Sequence, residues 1–258
     1  MSRRRVIKKN ISPDNIAYYN SKKIIDSNTC IVISSTSKYS FIWDTFFNLL
    51  VKNWKNLEFP IYFLSTGESK YLVEKFDINV YEVKKDIGFL EGYKYILDQV
   101  KERHNYGIIL QDDFLIEKPV NNDLIKKYIE ILNENKEVGF IRTMPCPGPK
   151  GQKINFGDIE LGEINKLEDY SFSYQSTIWN INYFLEFSNI QNSSPWISEI
   201  TLAKKMRSDK SGKKLLGFIR PFKESNAVYE SPIPYRPTAI VKGKLQDWAK
   251  KLLVRENI

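Results

Sequence analysis

Tyr106-Gly107-Ile108-Ile109-Leu110-Gln111-Asp112-Asp113-Phe114 is the stretch on which the reading of this 258-residue chain turns. Gly107 to Leu110 is short and wholly apolar, the pattern of a strand buried on both faces. It stops at Gln111-Asp112-Asp113, so two adjacent carboxylates stand where the strand leaves the core. Neighbouring carboxylates repel, and one takes up a proton unless a cation sits beside them. A hard divalent ion, Mn²⁺ or Mg²⁺, with oxygen ligands from the protein and from a diphosphate, is the usual solution. The carboxyl end of a strand in an open α/β sheet is also where ligands bind. The plain alternative is that both Asp open a turn and cap the next segment.

Upstream, the pattern alternates. Thr29 to Ser35, Pro60 to Leu64 and Ile78 to Val83 are predicted strands. Phe41 to Trp54, Tyr71 to Phe76 and Leu90 to Arg103 are the predicted helices between them. This β-α-β-α-β-α-β order builds a parallel sheet with right-handed crossovers. Its strand ends then line up: Ser35-Thr36-Ser37, Ser65-Thr66-Gly67, Lys84-Lys85-Asp86 and Gln111-Asp112-Asp113. A nucleotide laid across them would meet hydroxyls, lysines and a metal site. No Gly-x-Gly-x-x-Gly follows the first strand and no phosphate-loop motif occurs, which argues against a dinucleotide enzyme or a phosphate-loop ATPase.

Downstream, Asn122 to Asn133 is a predicted helix and Val138 to Arg142 a strand, followed by the stiff loop Met144 to Gly151. Residues 151 to 170 carry no clear pattern. Ser171 to Trp179 alternates polar and apolar groups and predicts a half-buried strand with Gln175 at a marked position. Ser194-Pro195 is a helix cap followed by proline at the first position, opening a helix that runs to Met206 with Glu199 in its first turns. Leu215 to Arg220 reads as a late strand and Leu245 to Val254 as an amphipathic tail helix. The expected organisation is a basic arm over 1–28, one domain over 29–244 and a terminal helix over 245–258. Within the domain, 29–120 would hold the nucleotide and 121–244 the acceptor.

Composition narrows the classes. Lys plus Arg exceed Asp plus Glu by 39 to 31, a formal charge of +8, which favours phosphorylated ligands, nucleic acid or an anionic membrane surface. The 42% hydrophobic and 14% aromatic content excludes wholesale disorder. Cys30 and Cys146 are too few for a disulfide framework and lack metal-site spacing, so a reducing compartment is expected. No apolar run reaches the length of a membrane span, and the basic start Met1 to Val6 is not followed by a secretory apolar stretch. A cytoplasmic protein is expected, touching the inner face of a membrane through its basic N-terminus and tail helix.

On these pieces the chain resembles the GT-A family of glycosyltransferases, specifically small single-domain bacterial and large-DNA-virus enzymes that build surface glycans. The resemblance covers roughly residues 29 to 245. It rests on Gln111-Asp112-Asp113 as a variant of the family's Asp-x-Asp motif, on Ser173 to Trp179, on Ser194 to Glu199 and on Ile240-Val241-Lys242-Gly243-Lys244. It implies a Rossmann-like mixed sheet flanked by helices and metal-dependent transfer of a sugar from a nucleotide-diphosphate donor, UDP-type favoured, to a glycan or lipid-linked acceptor. Gln111 stands where the family has its first Asp, which leaves Asp113 as the direct metal ligand and puts Asp112 on the metal's water or the ribose. In inverting members the base is an acid at the start of a later helix, and Glu199 fits; a retaining enzyme would lack it. The ordinary role for Glu199 is a carboxylate favoured by the helix dipole.

The remaining candidates each have a plain alternative. Asp86 and Lys84 would meet the nucleoside, or else form a solvated loop; Ser35 and Thr36 would make hydroxyl contacts of the same kind. Gln175 would bond donor or acceptor, or face solvent. Trp179 and Trp196 would stack on the acceptor, or pack in the core as tryptophans ordinarily do. Lys242 and Lys244 would approach the diphosphate, or stay solvated. His104, the only histidine, is expected at the surface. Two rivals stand beside the glycosyltransferase. A nucleotidyltransferase shares the sheet and acid pair but normally has a glycine-rich basic loop that Ser35 to Tyr39 lacks. A nucleic-acid-binding protein would cluster its basic residues with aromatics, which this chain does not.

Overall fold

The computed structural model describes residues 16–22, 25, 27–190, 194–219, 228–236 and 238–256. Most of the expected basic arm, the end of the late strand at Arg220 and the last two residues lie outside the described residues.

In chain order the elements are β1 (Ile16–Tyr19), β2 (Thr29–Ser34), a short 3-10 turn (Ser37–Tyr39), α1 (Ser40–Asn53), β3 (Ile61–Thr66), α2 (Tyr71–Phe76), β4 (Asn79–Val83), α3 (Phe89–Val100) and β5 (Tyr106–Leu110). There follow α4 (Asn122–Glu134), β6 (Val138–Arg142), β7 (Lys153–Phe156), β8 (Ile159–Glu163), β9 (Thr177–Asn180) and α5 (Ile181–Phe187). The chain continues through α6 (Pro195–Met206), β10 (Lys214–Phe218), β11 (Ile240–Val241), β12 (Lys244–Leu245) and α7 (Asp247–Glu256). One ten-stranded sheet runs through both halves in the order β1-β4-β3-β2-β5-β9-β6-β10-β8-β7. β4, β3, β2 and β5 are mutually parallel, as the upstream alternation requires. β9 is inserted antiparallel between β5 and β6. The α/β class with a mixed sheet flanked by helices is thus the architecture found.

Alternate residues of each inner strand feed opposite layers, the period-2 consequence of the pleat. Ile31, Ile33, Phe63, Ile108 and Leu110 face the layer built by α1, α4 and α7. Cys30, Val32, Tyr62, Leu64 and Ile109 face α3, α5 and α6. α3 crosses β2 so closely that a Cβ on Gly92 would lie 2.0 Å from Ser34 Oγ, which explains a glycine inside a helix. α7 is not a free amphipathic helix: Ala249 and Leu252 are buried, Trp248 and Leu253 pack on the core, and the Arg236 guanidinium lies 4.6 Å from the Trp248 ring centre. Its apolar side is thus packed on the core apart from Val254, which is 82% exposed. Among the described residues no helix is long and apolar enough to cross a membrane.

Three sequence expectations change. Residues 151–170 hold the hairpin β7–β8, turning at Gly157 with φ +62°. Ser171 to Ser176 is not strand but a buried loop, and only Thr177 onward pairs with β5 and β6. His104 is buried, not at the surface, because its ring bonds the Tyr62 hydroxyl at 3.1 Å and the Ser27 carbonyl at 2.7 Å.

Candidate active site

The acid pair leaves β5, the fourth of the parallel strands, at the carboxyl edge of the sheet. Register places the ends of β2 and β6 and the start of β9 at that same edge: Ile33 pairs with Leu110, Ile109 with Thr177, and Thr177 with Arg142. The mixed α/β sheet that the GT-A resemblance implies is therefore present, with the acid pair at its carboxyl edge.

Asp112 and Asp113 are adjacent in sequence yet differently held. Asp112 is 8% exposed; Ser35 Oγ donates to its Oδ2, and Trp43 Nε1 donates to Ser35 Oγ at 2.8 Å. Burial, and then the Asp113 charge, push its carboxyl up to about 7 against the Ser35 and Trp43 hydrogen bonds that favour the anion. Asp113 Oδ1 is buried with no hydrogen-bond partner among the described residues, while Oδ2 receives a 3.5 Å contact from the Ile240 N–H. Burial pushes Asp113 up to about 6. An unpartnered, desolvated carboxylate oxygen beside a second carboxylate is an environment that a cation relieves. Among the described residues no three or more His, Cys, Asp or Glu come together as metal ligands. A cation here would therefore take one or two carboxylates and fill its other positions from phosphate and water, the ordinary habit of Mg²⁺. The residues present fit that group.

Around the pair, Ser171 to Ser176 forms a pinned wall. Gln111 Nε2 donates to the Tyr174 carbonyl at 3.3 Å, and the Tyr174 N–H donates to Glu199 Oε1 at 3.0 Å. One residue of the wall thus links the exit of β5 to the candidate base on α6. Tyr174 also shares a 2.8 Å hydroxyl bond with Ser198. Ser194 caps α6 with Pro195 in its first turn, as the sequence predicts, and that cap sets where Glu199 projects.

The site includes three residues that the sequence analysis did not single out. Trp43 holds Ser35. Tyr235 stacks on Phe114 with ring centres 4.3 Å apart, accepts from the Ser176 N–H at 2.9 Å and donates to Gln175 Oε1 at 2.8 Å. Arg142 is a buried cation without a carboxylate partner at bonding distance among the described residues; it donates to the carbonyls of Pro147, Tyr170 and Ser171. Burial lowers its guanidinium to about 10, and the charges of Glu199 and Glu168 pull it back up. Its signal was a charged residue closing the apolar run Val138 to Ile141, while Tyr235 in a proline-rich stretch gave none. Tyr235→Phe would leave the Ser176 N–H and Gln175 Oε1 without a partner, a loss of about 1–3 kcal/mol in urea unfolding.

The other expected residues separate. Thr36 Oγ1, just beyond the end of β2, is buried without a partner among the described residues, whereas the Ser35 hydroxyl is already engaged. Lys84 and Asp86 are exposed beyond β4, a strand three spacings, or about 14 Å, across the sheet from β5. Asp86 Oδ1 accepts from the Gly88 N–H at 2.8 Å. Gln175 is half-buried and bonded to Tyr235. Lys242 and Lys244 are exposed on the β11–β12 hairpin, which sits beside Asp113 through the Ala239 and Ile240 N–H groups. Trp196 is exposed. Trp179 corrects an expectation: it is 2% exposed on an interior strand, walled by Phe140, Phe172 and Phe184, and offers no face to an acceptor. A separate depression lined by Gly151, Asn165, Lys166 and Lys213 lies at the amino end of β10, away from the pair, and Lys166 there is ion-paired with Asp209 at 2.8 Å.

No protein-family profile and no curated protein sequence matches the chain. Among solved structures it is similar to a cytidylyltransferase from Leptospira borgpetersenii (10% identity, TM-score 0.47, 89% of this chain and 95% of that one). It is also similar to a CMP:2-keto-3-deoxy-manno-octonic acid synthetase complexed with CTP (9% identity, TM-score 0.46, 75% and 90%). A third is S. aureus TarS (15% identity, TM-score 0.49, 74% of this chain and 35% of that one).

Proposed function

We propose that the chain transfers a glycosyl group from a nucleoside-diphosphate sugar, UDP-type favoured, to a hydroxyl of a glycan or lipid-linked acceptor, with inversion. The observation that carries this is Asp113, a carboxylate with a buried, unpartnered oxygen next to a second carboxylate at the ligand-binding edge of the sheet. Asp113, with Asp112 beside it, would hold Mn²⁺ or Mg²⁺; when bound, that ion neutralises charge growing on the departing diphosphate. Ser35 and Trp43 fix the Asp112 carboxylate in one orientation. The unpartnered Thr36 hydroxyl and the exposed Lys84 and Asp86 lie along the strand ends that an extended nucleotide would follow.

Glu199 removes the proton from the acceptor hydroxyl. Its Oε1 is anchored by the Tyr174 N–H, and its other oxygen has no hydrogen-bond partner among the described residues. Glu199→Gln is expected to lower turnover by about 10²-fold, within the range for general-base loss, while nucleotide binding persists. Unchanged turnover in that variant would remove Glu199 from the chemistry. Nucleotidyl transfer is the rival on the same sheet, and the products separate the two. Incubation with nucleotide sugars and Mn²⁺ should release nucleoside diphosphate; pyrophosphate released from a nucleoside triphosphate would mean attack on the α-phosphate.

A further inference from the structure

α6 carries an outer face that the proposed chemistry leaves unused. Ser198, Leu202, Ala203 and Met206 point inward and are buried, and Glu199 turns to the Tyr174 N–H. The opposite face presents Trp196, Ile197 and Ile200, which are 71%, 59% and 56% exposed. Trp196, Ile200 and Lys204 follow one another at four-residue spacing, so they form a single ridge with Ile197 beside it. Scattered exposed apolar side chains are ordinary, but three large ones in contiguous positions mark an interaction surface. Leu167 and Tyr170, also exposed, sit on the loop that the Arg207–Asp169 ion pair (2.8 Å) ties to the end of the same helix.

Charge selects the occupant. Glu199 is the only acid on α6, and it faces inward, so the outer face of the helix carries no acid. Lys204 is exposed and makes no ion pair among the described residues. The Trp196 indole N–H likewise has no hydrogen-bond partner among them. An indole with a free polar edge, flanked by branched apolar side chains and followed one turn on by a lysine, matches the boundary between acyl chains and anionic headgroups. The chain's formal charge of +8 acts in the same direction.

We propose that the outer face of α6, through Trp196, Ile197, Ile200 and Lys204, docks the protein on an anionic bilayer surface. The contact itself is independent of the transferase assignment. On that assignment it deepens it, since the docking face and Glu199 share one helix and the contact would hold the site close to an acceptor carried by the membrane.

The test is co-sedimentation of the full chain, without nucleotide, with vesicles of phosphatidylcholine alone and of phosphatidylcholine mixed with phosphatidylglycerol. The wild type should bind the anionic vesicles in preference. The variant carrying Trp196→Ser, Ile197→Ser and Ile200→Ser should bind about tenfold or more weakly. Lys204→Glu should weaken binding to anionic vesicles about five- to tenfold and leave binding to neutral vesicles unchanged. Thermal melting monitors folding of each variant; should the triple variant melt early, Lys204→Glu and the single Ile200→Ser decide. Failure of the wild type to bind anionic vesicles, or equal binding by wild type and variants, overturns the proposal. So does a wild-type dimer by light scattering that the triple variant dissociates, because the face would then belong to a second copy. Release of nucleoside diphosphate from a soluble nucleotide sugar, measured separately, shows whether the transferase assignment stands whatever the vesicles do.

Discussion

Asp113→Ala is expected to abolish metal-dependent nucleotide-sugar turnover, by about 10³-fold or more, while the protein stays folded. The expectation follows from what each Asp is attached to. Asp112 is tied to Ser35, and through it to Trp43, whereas among the described residues Asp113 has one oxygen committed only to the Ile240 N–H and the other to nothing. Removing Asp113 therefore deletes the donor oxygen that the fold leaves open and breaks little else. A thermal readout accompanies the loss. A ligand at one hundred times its Kd stabilises the native state by about 2.7 kcal/mol. For a chain of this size that raises Tm by roughly 5–10 °C. UDP with Mn²⁺ should produce such a rise in the wild type and almost none in Asp113→Ala. A full rise in the variant would mean that the nucleotide binds without this carboxylate.

The second large effect concerns pH in metal-free, chelator-treated protein. The folded-state values of about 7 for Asp112 and about 6 for Asp113 lie above the ordinary 3.8. Between these limits the folded chain binds more protons than the unfolded chain, so stability falls as pH rises. The contribution of the pair is fully present below about pH 4 and is lost as pH climbs through 6 and 7. Asp112→Asn removes a buried charge and keeps an oxygen for Ser35 to bond. It should be more stable than the wild type by about 2–4 kcal/mol at pH 8, with the advantage shrinking toward pH 4. Mn²⁺ should narrow the gap at pH 8 by stabilising only the wild type. Equal urea midpoints for the two proteins across this range would contradict the burial of an ionised pair. A stabilising substitution at a site that function needs is also what a binding site held under electrostatic strain should display.

Much of this site was legible in the chain because its signals are local. An apolar run that halts at two acids gives both a buried strand and its exposed end, and Ser194-Pro195 gives a helix start with Glu199 in fixed phase behind it. What stayed hidden depends on distant partners. Ser171 to Ser176 alternates like a strand, but its serines and backbone are satisfied by Thr143, Tyr235, Arg142 and Ala203, so the period reports loop bonding and not a ladder. Trp179 looks equally fit for a sugar or for the core; only the insertion of β9 between β5 and β6 settles that it is core. His104 is drawn in by Tyr62, forty-two positions upstream. The β7–β8 hairpin, by contrast, had a readable signal: Gly157-Asp158 separates Phe156 from Ile159, a two-residue turn with glycine first.

If the paired acids at the end of β5 grip a cation that holds a nucleoside diphosphate, nucleotide binding depends on both the metal and Asp113. Calorimetric titration of UDP into the wild-type protein, once with Mn²⁺ and once with chelator, tests it directly. Binding with Mn²⁺ that disappears in chelator and in Asp113→Ala is the expected result; UDP binding of equal strength in all three, or no binding in any, contradicts it.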